Sequence, residues 1–432
     1  MCYAIPGKIE SIQEKTVVVD YFGEKRKAHN ELEGLSVGDY IYAQGGFAIQ
    51  KIPLDEAKSI LAVWKETFFE LQEVDLQLSR LDLNPGSVSQ EFLKILDKAV
   101  EGRELTRQEL LVLIKEKDKT ALKLLFKSAN FLRQKHHKNS CCVHGIIEIS
   151  NYCHSACSFC GISGENKNIT RYRMSQEEIL EAAKVAIQEH GFKTLVLQSG
   201  QDCGYSIEEL AQIIRQIKTN WPALIFISFG EVGLDNLKIL YDAGARGLLL
   251  RFETSNPELY QQVNPGKELA SRIAHLKKAY ELGYLIITGG LIGLPGQSQE
   301  DLLNDILLAK ELHAEMYSFG PFISHPQTPL ANHPSALAET VLKVIALARI
   351  IDVVQAKILV TTALETLDPE SRREALLSGA NSVMLNVTPL KYRPLYNLYP
   401  WRAHESESIR DQINDTIGLL MSLGRSPTDL SI

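Results

Sequence analysis

From residue 143 onward the sequence repeats one pattern eight times: a short apolar run, then a stretch with helical spacing. The runs lie at 143–149, 194–198, 224–229, 247–252, 284–291, 315–319, 358–362 and 382–387, and helical spacing fills the intervals, as at 175–190, 206–218, 298–312 and 336–350. Strands that alternate with helices form a parallel sheet, and eight of them suggest closure into a TIM-type (β/α)8 barrel over 138–400. The alternative is an open doubly wound sheet. The barrel reading places chemistry at the C-terminal ends of the strands, and makes the chain an α/β protein. Residues 401–432 read as a C-terminal helical extension.

The first 137 residues differ. Residues 1–55 hold β-rich runs such as Thr16-Val-Val-Val-Asp20 and Asp39-Tyr-Ile-Tyr-Ala43, separated by turn glycines, which suggests a small β-barrel. Leu54, Ala57, Ile60, Leu61, Trp64, Phe68 and Leu71 then mark one helical face, so residues 1–75 form a barrel-plus-helix module. Asn84-Pro-Gly86 lies in a linker over 76–86, and 87–137 reads as a helical connector capping the barrel, with helix starts at Ser87 and Thr106. A net charge of −7 gives no basic field for nucleic acid, and no apolar run is long enough for a bilayer. Seven cysteines, an odd number, point to thiols in a reducing cytoplasm rather than disulfides.

Three of those cysteines fall directly after the first strand, in Cys153-His-Ser-Ala-Cys157-Ser-Phe-Cys160. Three thiolates on one loop can hold three irons of a [4Fe–4S] cluster, leaving the fourth iron open to a small molecule. A structural zinc site is the competing reading, although zinc usually takes four ligands in paired spacings. The spacing resembles the radical S-adenosylmethionine (SAM) superfamily, where the open iron chelates the amino and carboxylate groups of SAM. An oxygen-sensitive cluster of this kind implies an anaerobic setting.

Polar groups gather at other strand ends, in Leu197-Gln-Ser-Gly-Gln-Asp202, Ser228-Phe-Gly-Glu231, Arg251-Phe-Glu-Thr-Ser-Asn-Pro257, Leu291-Ile-Gly-Leu-Pro-Gly-Gln297 and Thr361-Thr362. With Asn168–Met174, Gly320–Leu330 and 392–400, these segments resemble HydE, the radical SAM maturase of [FeFe]-hydrogenase, over roughly 87–400. The resemblance implies SAM contacts at Phe159, Gln198, Ser228, Glu253, Arg272 and Ile292. It places Arg251, Thr361, Thr362, Tyr392 and Tyr396 in the substrate cavity. His144 and Gly247 stand where the family pattern has two cavity arginines; His144 is kept as a cavity candidate, while glycine offers an anion no donor. No cysteine follows Cys203, so the second cluster of some members has no ligands here.

Residues 1–70 resemble HypC, the small [NiFe]-hydrogenase assembly chaperone, through Met1-Cys-Tyr-Ala-Ile-Pro-Gly-Lys-Ile9, Val37-Gly-Asp-Tyr40 and Gly46-Phe-Ala-Ile49. Removal of the initiator Met would leave Cys2 as a terminal amine beside a thiolate, a pair able to bind soft iron. The family's histidine before Gly-Phe-Ala is Gln44 here, a poor iron ligand. Together the resemblances imply a fused maturase that cleaves SAM to a 5′-deoxyadenosyl radical while an Fe–CO–CN unit is built. Its substrate would be a small or organoiron molecule and its reductant a ferredoxin or flavodoxin. Partners would be HypD-like, HydG- or HydF-like proteins or a hydrogenase large subunit. Two alternatives stand beside it: an amino-acid mutase or sulfur-inserting enzyme of the methylornithine synthase or biotin synthase type, and a metallochaperone scaffold without turnover.

Overall fold

A computed structural model describes residues 3–82, 86 and 88–430. Cys2 and Ser87 lie outside the described residues, as do Asn84 and Pro85 of the expected linker. Five short strands, β1 (Gly7–Gln13), β2 (Thr16–Tyr21), β3 (Glu24–Asn30), β4 (Tyr40–Gln44) and β5 (Phe47–Ile52), close into a barrel in the order β1-β2-β3-β5-β4. Alternation puts Val17, Val19 and Tyr21 inside, against Tyr3, Ile9, Ile41 and Phe68. Phe68 comes from α1 (Leu54–Leu78), which buries Ala57, Phe68 and Leu71, while Leu54 at its start is half exposed.

The expected helical stretch is three separate helices: α2 (Gln90–Val100), α3 (Arg107–Lys115) and α4 (Lys119–His137). Ser89 caps α2 through the amide of Phe92, and Thr106 caps α3 in a reciprocal box with Glu109. Helices α3 and α4 pack on the outer helices Gln299–Glu311 and Ala338–Ile351, flanking the large barrel. A buried cluster ties the pieces together. Asp75 near the end of α1 accepts two 2.7 Å hydrogen bonds from Arg133 of α4, and Arg425 Nε stands 3.0 Å from it.

The large barrel is closed. Strands β6 (Ser140–Ser150), β7 (Thr194–Ser199), β8 (Leu224–Ser228), β9 (Ala245–Leu249) and β10 (Leu285–Thr288) run parallel in sequence order. Ala314–Tyr317, Lys357–Val360 and Ser382–Asn386 continue the order, and the last pairs with β6. All eight expected strands are present, and the open-sheet alternative is excluded by that final pairing. Register places Glu148, Gln198 and Ser228 side by side on β6, β7 and β8.

Below the barrel the small module is docked. Its β4–β5 hairpin enters the floor, where Tyr42, Phe47 and Ile49 share a core with Val196, Phe226, Ile287 and Met316. Gly45 turns the hairpin at φ +54°, and a Cβ there would lie 2.7 Å from Leu224 Cδ2. The C-terminal segment departs from an all-helical extension. After the helix Ile409–Ser422, Ser426–Pro427 pairs with Ser140–Cys141, because β6 begins below its neighbours and leaves an edge to cover. Among the described residues no helix is long and apolar enough to cross a membrane.

Candidate active site

The cysteine loop leaves the top of β6 and is held from several sides. Arg171 donates to the carbonyls of Ile162 (2.8 Å), Ser163 (2.6 Å), Asn166 (3.0 Å) and Asn151, and so clamps both ends of the loop. Asn151 donates to Thr170 and Leu395 carbonyls. At Gly200 a Cβ would sit 2.3 Å from the carbonyl oxygen of Tyr152, so only glycine lets β7 approach the loop this closely. Cys153, Cys157 and Cys160 all line one cavity of about 330 Å³ above the barrel interior. Backbone amides of Ser155 (3.4 Å) and Gln201 (3.3 Å) point at Cys153 Sγ. Burial pushes the Cys157 thiol up to about 11 and Cys160 higher still. Thiolates buried this way need a bound cation to be stable, so the donor set fits an iron–sulfur cluster held by three cysteines.

The same cavity gathers Phe159, Gln198, Ser228, Glu253 and Arg272. Glu253 adopts φ +67°, which a glutamate rarely does, because its backbone is pinned between Gly289 and Leu291. That turn leaves its buried Oε2 without a hydrogen bond, 3.1 Å from Arg251 but not aligned with it. A buried carboxylate oxygen without a donor suits the hydroxyls of a ribose. Arg272 is buried, not solvated. It donates to Glu231 (3.0 and 3.1 Å) and to the carbonyl of Arg251 (2.9 Å). Burial pushes the Glu231 carboxyl up, but Arg272 and the Ser271 hydroxyl outweigh it and hold the group low and charged. This cationic corner, with Lys267 3.7 Å from Glu231, suits the carboxylate of an amino acid.

Arg251, Thr361, Thr362 and Tyr396 line the same cavity, and Thr361 Oγ1 has no hydrogen-bond partner. Three expected residues are placed elsewhere. Tyr392 lies outside the cavity lining, stacked on Tyr172 at 4.6 Å with its hydroxyl on Glu178, so it fastens the loop from behind. Tyr399 lines the cavity, a position the sequence did not suggest. Ile292 is fully buried beside the rim pairing Leu291–Ile292 with Gly320–Pro321, and Leu291 faces the cavity in its place. His144 is a correction. It sits low on β6, where the strand has not yet reached the cavity, and lines a separate small void in the floor.

Other groups here were not anticipated. Glu148 is buried on β6, bonded to Arg402 and to Asn386 (3.0 Å). A lone acid inside the apolar run Val143–Ile149 was the available signal. Asn264 also lines the cavity, buried and with both amide atoms unpartnered, and nothing in its local sequence marks it. Gln201 links the loop to β8 through Ser155 (3.0 Å) and the carbonyl of Glu231 (2.8 Å).

A closed parallel barrel with three cysteines after its first strand, facing a polar cavity at the strand ends, defines a radical SAM enzyme, whose cofactors are a [4Fe–4S] cluster and SAM. Residues 147–309 match the Radical SAM superfamily, and residues 1–64 match the HupF/HypC family. The [FeFe] hydrogenase maturase subunit HydE of Thermotoga maritima is 40% identical over 334 residues, covering 77% of this chain and 95% of that protein. The chain belongs to that HydE family, with a HypC-type module fused at its N-terminus. A 3-methylornithine synthase of Methanosarcina acetivorans is 29% identical over 66% of this chain and 81% of its own. A crystal structure of methylornithine synthase superposes with a TM-score of 0.68 at 26% identity, covering 77% of this chain and 97% of that one.

Proposed function

We propose that this chain performs a radical step in assembling the Fe–CO–CN unit of a hydrogenase. The observation that carries this reading is the 40% identity to a hydrogenase maturase over nearly all of that relative. When bound, the cluster supplies the electron that cleaves SAM to methionine and a 5′-deoxyadenosyl radical. The chain's own part is binding and exclusion. Arg272, the member of that corner that lines the cavity, takes the carboxylate of SAM, Glu253 takes the ribose hydroxyls, and Phe159 and Leu291 offer apolar surface to the adenine. In the same cavity, Arg251, Thr361, Thr362, Tyr396 and Tyr399 present a cation, hydroxyls and phenols to a polar or anionic substrate. The closed barrel and the module in its floor keep water from the reacting atoms.

The domains follow from the same reading: 1–75 as the chaperone-type module, 87–137 as the connector, 138–400 as the catalytic barrel and 401–432 as the closing segment. With Gln44 in the histidine's place, the module serves docking on HypD-like, HydG- or HydF-like proteins or a hydrogenase large subunit. A ferredoxin or flavodoxin in the cytoplasm supplies the electron. The test is replacement: an anaerobic maturation mixture for apo-[FeFe]-hydrogenase that lacks HydE is supplied with this chain. Restored hydrogen evolution, absent with Cys157→Ala, supports the reading. No restoration, together with SAM cleavage stimulated by an amino acid, turns it to the methylornithine synthase type.

A further inference from the structure

The floor of the barrel holds a second group of ligand-type side chains. Cys142 and His144 share the inward face of β6, and Asp429 arrives from the C-terminal segment, so that one ligand atom from each lies within 4.8 Å of the others. All three are buried. Thr194 (3.0 Å) and Thr428 (2.6 Å) orient the Asp429 carboxylate, whose Oδ2 is 3.3 Å from His144 Nε2. His144 Nδ1 is buried with no hydrogen-bond partner. The three line a void of about 10 Å³, closed from below by Gly45 of the module's hairpin. That is about the space of one water-sized sphere.

We propose that Cys142, His144 and Asp429 form a second metal site, for a divalent first-row ion such as zinc or ferrous iron. Mixed sulfur, nitrogen and oxygen donors suit such ions, and ligand distances of 2.0–2.3 Å correspond to donor separations of about 3.3–3.8 Å; His144 and Asp429 already stand 3.3 Å apart, with all three ligand atoms within 4.8 Å. Charge agrees. Lys357 and Glu315 on the same wall form an ion pair. Such an ion would take Cys142 as thiolate and His144 as neutral imidazole, and its two positive charges would offset the thiolate and the Asp429 carboxylate. The space exists because Gly247 lacks a side chain: a Cβ there would lie 2.2 Å from Phe226 Cδ1, and Phe226 instead fills the wall and meets His144 edge-on at 5.5 Å. The site lies directly above the module's hairpin, where an ion would tie the C-terminal segment to β6. It stands independently of the reaction proposed for the cavity above.

The test uses the full chain with Cys153, Cys157 and Cys160 changed to Ser, freed of metal and titrated with Co²⁺. One equivalent should bind, with thiolate-to-cobalt absorption in the near ultraviolet. The band should vanish in Cys142→Ser, weaken at least tenfold in affinity in His144→Gln, and persist in Cys141→Ser and Cys2→Ser. In the cluster-loaded chain with its native cysteines, metal analysis should find one further ion per chain, absent from Cys142→Ser. Absence of that further ion, or a band lost in Cys2→Ser and kept in Cys142→Ser, overturns the proposal and leaves only a His144–Asp429 contact.

Discussion

Arg171 is the sharpest handle on how the fold holds its cofactor loop. Its guanidinium donates to four carbonyls, at Asn151, Ile162, Ser163 and Asn166, which bracket all three cysteines. Lysine keeps the charge but has one nitrogen, which can reach one or two of these oxygens. The change Arg171→Lys therefore removes two or three hydrogen bonds. At about 1 kcal/mol net for each, the loop becomes about 2–3 kcal/mol easier to open. Cluster loss proceeds through such local opening, so its rate should rise roughly 30- to 150-fold. The assay is anaerobic bleaching of cluster absorbance by an iron chelator, with the circular dichroism melt as a check on the remainder of the fold. A variant that loses iron at the parent rate, with full cluster content, would refute the clamp.

Glu253→Gln should weaken SAM binding by about 1–3 kcal/mol, or roughly 5- to 150-fold, by calorimetry on the cluster-loaded protein, since the amide repels one ribose donor; unchanged affinity contradicts the ribose role. Asp75→Asn leaves Arg133 and Arg425 buried without their shared anion and should cost about 3–5 kcal/mol in chemical denaturation. Gly45→Val should loosen the module from the barrel floor, read as faster proteolytic cutting between 79 and 89, because the new side chain meets Leu224 and Leu285. Burial pushes the Asp305 carboxyl up to about 7, although Ser255 donates to it. Its folded value thus stands above the free aspartate value, so its contribution is full below about pH 4 and is lost as pH rises through 7. Asp305→Asn should flatten that fall in melting temperature; a variant with the parent's slope contradicts it.

The barrel was legible because its physics is local. Each strand is a short apolar run and each helix has its own periodicity, so eight repeats announce a closed sheet. The cysteine triplet was legible for the same reason, as its spacing is a property of one loop. What escaped the sequence depends on contacts across the chain. His144 and Tyr392 were expected in the cavity from the family resemblance, yet the structure places them in the floor and behind the loop. Tyr399 takes the wall position near Tyr396 because the chain after Leu395 is irregular, where helical spacing no longer applies. Docking of the module's hairpin, and the meeting of Asp429 with Cys142 across almost 290 residues, left no mark in either segment alone.

Cleavage of SAM in this cavity in response to an organoiron substrate is the step on which the proposed function rests. The most direct test is the yield of 5′-deoxyadenosine from the anaerobically reconstituted protein with SAM and dithionite, with and without a cysteine-bound Fe(CO)₂(CN) complex. The complex should stimulate the yield, and Cys157→Ala should abolish it. Cluster-loaded protein that forms no 5′-deoxyadenosine under either condition would contradict it.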